Sequence, residues 1–268
     1  MTLSIRKKKE GFGHHEDWIA TTWSPVTGCT KCSAACVHCY ALDRIIPWQL
    51  RLKKQKYRNG GRVTLHPGTL DEPRHKRKGK DIFVCSMSDL FHEKVPTSFI
   101  KKVFKVMNEC PQHNFRLITK RSERMAEIAT DLIWTPNIWA GVTIEHPDYL
   151  HRADELRKVP ASVLFIYCEP LLGSLKRLNL KGISTIVVGG ESGPEAREMK
   201  KKWVLELRDK CREKGTALFF KQWGDSPLSG PEDRNNQKQD KGGCLLDGEE
   251  YKERLVFNSA TGRAEFKA

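Results

Sequence analysis

Four cysteines crowd the stretch GCTKCSAACVHCYALDR, which runs from Gly28 to Arg44. They are Cys29, Cys32, Cys36 and Cys39, two C-x2-C pairs separated by three residues. Thiols at this density suggest four chemistries. A disulfide framework conflicts with the compartment. The opening segment MTLSIRKKKEGFGHHEDW is basic with no apolar stretch behind it, so it does not read as a secretory signal, and a reducing cytoplasm is expected. A zinc ribbon calls for knuckles about 12–20 residues apart, so that both wrap one ion. A nucleophilic cysteine needs one thiol and a nearby base. An iron–sulfur cluster takes several thiolates from one compact loop, and it fits this spacing best, with zinc as the competing metal.

The elements that position such a loop are legible as short apolar runs. Strands are expected at Trp18–Trp23, Ile82–Ser86, Phe115–Thr119, Ile138–Thr143, Val163–Tyr167, Thr185–Val188 and Ala217–Phe220. The runs are nearly continuous, as in strands covered on both faces. Helical patterns fill the gaps at Thr97–Cys110, Glu123–Leu132, Tyr149–Val159 and Lys201–Lys214. In the first of these, Phe99, Val103, Val106 and Met107 share a face and Thr97 or Ser98 serves as N-cap; the last is closed by Gly215. This alternation implies βαβ units and an α/β fold, a partial or complete (β/α) barrel, with a doubly wound sheet as the runner-up. Three regions follow: a basic arm over residues 1–17, a barrel domain over 18–224 and a loop-rich C-terminal extension over 225–268. Within the barrel domain, Tyr40–Lys80 forms a long basic insertion after strand one. In the extension, CLLDGEEYKERLVF suggests a short hairpin.

In parallel α/β folds, ligand groups gather where strands end. Each expected strand is followed by residues suited to site chemistry. Strand one leads into the cysteines, strand two to Ser88, Asp89 and His92, strand three to Lys120 and Arg121, and strand four to Glu145 and His146. Strand five leads to Cys168 and Glu169, strand six to Gly189, Gly190, Glu191 and Ser192, and strand seven to Lys221 and Gln222. Asp89, Lys120, Glu169 and Lys221 are the expected catalytic groups, with Arg121 and Gln222 beside them at the substrate. Cys85 and Cys168 read as core fillers, and Cys110, Cys211 and Cys244 carry no assignment.

The 268-residue chain carries 47 Lys and Arg against 33 Asp and Glu, a net charge of +14. The excess is concentrated in RKKK at Arg6, RLKKQKYR at Arg51–Arg58, RHKRKGK at Arg74–Lys80 and KKK at Lys200–Lys202. Such a balance favours a polyanionic partner, a nucleic acid or a nucleotide. No apolar run is long enough to span a bilayer, so no membrane partner is expected.

Two resemblances sharpen the reading. Cys32-x3-Cys36-x2-Cys39 is similar to the cysteine motif of radical SAM enzymes, in which three thiolates hold a [4Fe–4S] cluster and the fourth iron chelates S-adenosylmethionine. More narrowly, the chain resembles the phage- and prophage-associated three-Cys-motif family, a radical-SAM-like group of unknown function. The phrases WSPVTGCTKCSAACVHCYA, FVCSMSDLFHEKVP, LITKRSERM, NIWAGVTIE, CEPLLG, VVGGESGPEAR and FFKQWG carry that resemblance, across Trp18–Gly224. The family's triad falls on Cys29, Cys36 and Cys39, which leaves Cys32 as a spare or alternative ligand. The resemblance implies a [4Fe–4S] cluster, S-adenosylmethionine and an external electron donor. GGESG is similar to the Gly-Gly-Glu element of radical SAM enzymes, although it follows strand six rather than strand two. Tyr40, Ser88, Glu145, Gly189, Gly190, Glu191 and Ser192 are therefore the expected cofactor contacts, with Glu191 and Glu169 candidate partners of ribose or ammonium.

Three functions compete on these residues. The first is reductive cleavage of S-adenosylmethionine to modify or repair a nucleic acid or nucleotide. The second is a metal-stabilised nucleic-acid-binding or nuclease-like protein, in which Asp89, Glu169 and Glu191 hold a divalent ion. The third is a non-catalytic adaptor that docks through the basic insertion.

Overall fold

The structure is a computed structural model that describes residues 21–230 and 242–267. The N-terminal arm, the first residues of the expected strand at Trp18–Trp23 and part of the linker after Gly230 lie outside the described residues. Seven strands form one parallel sheet: β1 (Thr21–Trp23), β4 (Asp81–Val84), β5 (Asn114–Thr119), β6 (Ile138–Thr143), β7 (Leu164–Cys168), β8 (Thr185–Gly189) and β9 (Ala217–Gln222). Their spatial order is their sequence order, with β1 and β9 at the edges. A doubly wound sheet reverses strand order at a switch point. None occurs here, so the architecture is a curled, open half-barrel. Two intervening strands, β2 (Val26–Thr27) and β3 (Thr64–Leu65), pair with each other outside the sheet.

The continuous apolar runs are explained by burial on both faces. All six residues of β6 and all five of β8 are buried. One face packs against α2 (Thr97–Asn108), α3 (Ser122–Ile128), α4 (His151–Leu156) and α5 (Lys201–Lys214), in a core that includes Phe104, Phe115, Met107 and Leu207. The other face carries Phe83, Trp139, Phe165, Tyr167, Val187 and Phe219. It is covered by the antiparallel hairpin of β12 (Arg254–Asn258) and β13 (Arg263–Lys267), which contributes Leu255, Phe257 and Ala264. The expected hairpin in CLLDGEEYKERLVF forms as β10 (Leu245–Leu246) and β11 (Glu249–Glu250). Trp223, fully buried, ties it to the sheet by donating from Nε1 to the Leu245 carbonyl at 2.9 Å. Among the described residues no helix is long and apolar enough to cross a membrane.

Several expected boundaries move for physical reasons. The expected strand at Ile82–Ser86 ends at Val84, because Cys85 takes a left-handed φ of 58° and turns the chain. The helix from Thr97 is capped by neither Thr97 nor Ser98: Pro96 is the N-cap, and its carbonyl accepts from the Phe99 and Ile100 amides. The two middle helices are shorter than expected, each adjoined by a 3-10 turn, at Ala129–Asp131 after α3 and Pro147–Tyr149 before α4. Gly215 closes α5 as expected, with φ 65° in the left-handed region.

The basic insertion leaves the cysteine loop at Tyr40 and is tied back to it near its middle, at Gly61 and Arg62. After Cys39 the chain runs into a π-helical turn at Ala41–Ile45 and then α1 (Ile46–Arg51). It returns so that the Cys29 amide donates to the Gly61 carbonyl at 3.1 Å. Gly28, at φ 77°, permits this approach, since a Cβ there would stand 2.2 Å from the Arg62 carbonyl oxygen.

Candidate active site

Because all seven strands are parallel and in order, the segments that follow them share one rim. The cysteine loop after β1 lies across that rim, and other strand ends hold it from below. After β4, the ring of His92 is hydrogen-bonded through Nε2 to Thr30 Oγ1 at 2.8 Å. After β5, Arg121 donates to Thr30 Oγ1 at 2.9 Å and to Cys29 Sγ at 3.7 Å. After β6, Glu145 Oε1 accepts from the Ala35 amide at 3.4 Å, and the Tyr149 hydroxyl accepts from the Ala34 amide at 3.0 Å. After β8, Arg197 donates to the Ala34 carbonyl at 3.0 Å.

Asp89 is the hub beneath Cys29. It is buried and accepts from Thr119 Oγ1 at 2.8 Å, the Phe91 amide at 2.9 Å and Arg121 Nη1 at 3.0 Å. Burial works against the Arg121 charge, but Asp89 and Glu93 outweigh it and hold the guanidinium proton more tightly than usual. Burial and the Asp89 charge push the Cys29 thiol up, while Arg121 pulls it down.

The neighbouring Cys32 thiol and the Lys120 charge, opposed by burial, lower the Cys36 thiol to about 4, while Cys36 and burial push the Cys32 thiol up. The Ser33 hydroxyl stands 3.5 Å from Cys36 Sγ. Cys36 is buried, Cys29 and Cys39 are half-buried, and Cys32 is exposed. Unlike Cys36, the thiols assigned to the core are raised: burial pushes Cys85 up to about 12 and Cys168 well above the ordinary range. A cleft of about 360 Å³ opens beside Cys32, lined by Lys120, Arg121, Arg124, Tyr149 and Arg152 among others. Within it, the Lys120 ammonium donates to Thr143 Oγ1 at 3.4 Å.

Glu191, after β8, is held by Arg197 through both side chain and backbone, and by His38 Nδ1 at 3.3 Å. Burial pushes its carboxyl up, but the Arg197 and His38 hydrogen bonds win and hold it below the ordinary carboxylate range. Ser192 follows it half-buried, and Gly189–Gly190 end β8, where Gly190 exchanges hydrogen bonds with Gln222. Lys221 donates to Glu169 Oε1 at 2.6 Å, which brings these two expected catalytic groups together across β7 and β9. Tyr40 stands half-exposed within electrostatic reach of Cys39 and Glu169.

Two expected cofactor contacts are tied into the scaffold. Glu145 is fully buried, and its Oε2 pairs with Arg152 at 3.0 Å, also buried. Ser88 donates to the Val26 carbonyl at 2.7 Å. Asp89, Glu169 and Glu191, the three carboxylates of the divalent-ion reading, each pair with a different cation: Arg121, Lys221 and Arg197. Sequence reasoning passed over Arg152, Tyr149 and Arg197 as site residues. For Arg197 the signal lay in the quoted phrase GGESGPEAR, where an arginine follows a strand-end glutamate by six residues.

The donor set suits an iron–sulfur cluster: four cysteines lie on one rim loop, and none of those four is in a disulfide. Among the described residues no three His, Cys, Asp or Glu side chains stand close enough together to grip an ion.

Residues 15–254 match a family described as "Protein of unknown function (DUF5131)". The expectation of a family without a known function is met at that level. No curated protein matches the chain. Similar solved structures include a cysteine-to-serine mutant of spore photoproduct lyase, 13% identical over 70% of this chain and 60% of that one, with a TM-score of 0.47. Another is spore photoproduct lyase complexed with dinucleoside spore photoproduct, 12% identical over 87% of this chain and 64% of that one, with a TM-score of 0.43. The chain thus spans less than two thirds of the length of these structures.

Proposed function

The chain belongs to this family of proteins of unknown function, and from the site itself we propose a radical-SAM-like iron–sulfur enzyme acting on a nucleic acid or nucleotide. The observation that carries the reading is a loop of four free thiols at the carboxyl rim of a parallel half-barrel, held there by the segments after β4, β5, β6 and β8. In this reading Cys29, Cys36 and Cys39 hold a [4Fe–4S] cluster. The bound cluster would supply the electron that splits a carbon–sulfur bond of S-adenosylmethionine and so starts hydrogen abstraction from the substrate.

The chain's own residues then have distinct tasks. Arg121 donates a hydrogen bond to Cys29 and partly offsets the burial and the Asp89 charge that push that thiol up. Cys36, the thiol held lowest, is the readiest thiolate donor. Arg197 fixes Glu191 and the loop together, and Gly190 lets the end of β8 pack on the Trp223 backbone, where a Cβ would stand 1.9 Å from the Trp223 carbonyl oxygen. Lys120 faces the cleft beside Cys32, and Lys221 with Glu169 forms the polar wall across β7 and β9. The charge of +14 supports a polyanionic substrate. An external electron donor completes the scheme. We place the protein in the reducing cytoplasm of a bacterial or phage-infected host cell.

The test is S-adenosylmethionine cleavage. Iron-loaded protein kept without oxygen and given a strong reductant is expected to release 5′-deoxyadenosine. Loaded protein that leaves S-adenosylmethionine intact would contradict the proposal.

A further inference from the structure

Among the described residues, eight large apolar side chains are exposed, and five of them fall within residues 37–52: Val37, Tyr40, Trp48, Leu50 and Leu52. Val37 lies in the cysteine loop itself, and the other four sit on or next to the π-turn and α1 that leave it. Tyr40, Arg44, Trp48 and Leu52 are spaced four apart along the π-turn and α1, and all four are exposed. Arg44 lies against Gly193, so this segment adjoins GGESG.

The chain around these residues is strongly cationic. Arg44, Arg51, Lys53, Lys54, Lys56, Arg58 and Arg62 lie within nineteen residues that contain no carboxylate. Each ion pair formed among the described residues uses other cations. A second copy of the chain on this face would bring the cations of both copies together, which disfavours self-association. Exposed aromatic faces set among unpaired cations are what a nucleic acid strand with unpaired bases needs: rings for stacking and charges for phosphates. A duplex keeps its bases stacked inside and offers the rings nothing.

We infer that the insertion is a platform for single-stranded nucleic acid, leading the strand from the Trp48 face toward the cysteine loop. This deepens the functional reading above by naming its substrate class, and it rests on that reading.

The test uses the full chain and measures fluorescence anisotropy of short oligothymidylate, oligouridylate and a duplex of equal length, with co-sedimentation on phosphatidylserine vesicles alongside. Single strands of either sugar are expected to bind more tightly than duplex. Trp48→Ala is expected to weaken single-strand binding about tenfold while the circular dichroism spectrum stays unchanged. Lys53→Ala/Lys54→Ala/Lys56→Ala is expected to reduce the slope of log affinity against log salt by about 2. Equal affinity for duplex and single strand with no effect of Trp48→Ala, binding to vesicles in place of oligonucleotide, or no binding at low salt would each overturn the platform. Iron content measured on the same material separates the two hypotheses: iron without strand affinity removes the platform alone, and strand affinity without iron removes the enzymatic reading alone.

Discussion

Replacing Cys36 by alanine is expected to strip the metal from the protein: iron and sulfide fall from about four each per chain to a trace. Cys36 belongs to both overlapping triads, C-x3-C-x2-C and C-x6-C-x2-C, so no alternative ligand set survives its loss. It is also the buried member of the four and the one whose thiol is held at about 4. The neighbouring substitutions decide between the triads. Cys29→Ala is expected to lose the cluster as completely, because Arg121 points its guanidinium at that sulfur. Cys32→Ala is expected to keep it, because Cys32 is exposed and its thiol is pushed up. Iron retained by Cys29→Ala but lost by Cys32→Ala would assign the cluster to the shorter spacing.

The second large effect lies beneath the loop. Arg152→Met is expected to destabilise the fold by about 3–5 kcal/mol, read from the urea midpoint, because it leaves the buried Glu145 carboxylate without its cation. Arg152 also donates to the Thr143 carbonyl at 2.8 Å and stacks on Tyr149, whose hydroxyl holds the Ala34 amide. The same change should therefore lower iron loading as the loop loses two supports. Pairing it with Glu145→Gln removes the stranded charge and is expected to recover most of the stability. A cost below about 1 kcal/mol for Arg152→Met alone would mean that water reaches Glu145 and that the pair does not brace the loop.

The sheet was legible because both of its faces are covered. Runs such as IWAGVT and TIVV are buried at every position, and no amphipathic helix reads that way. Spacing alone exposed the thiol loop, and parallel order placed the strand-end residues on one rim. Tertiary partners were not legible. Glu145 reads as an exposed ligand group until Arg152 closes on it, and nothing local to EHPDYLHR reveals the pairing. Ser88 likewise spends its hydroxyl on the Val26 carbonyl, 62 residues away in sequence. The hairpin formed by β12 and β13 covers the aromatic face through Leu255 and Phe257, a long-range contact that its own sequence, RLVFN, does not announce. The N-cap at Pro96 is not legible because proline has no side-chain acceptor and the helix starts with no side-chain cap.

The central claim is that the rim thiols ligate iron. The most direct measurement is metal and sulfide analysis of the full chain purified without oxygen, paired with electron paramagnetic resonance after reduction. About four iron and four sulfide per chain, with a reduced-cluster signal, is the predicted result. A colourless protein carrying one zinc, or no metal at all, would contradict it.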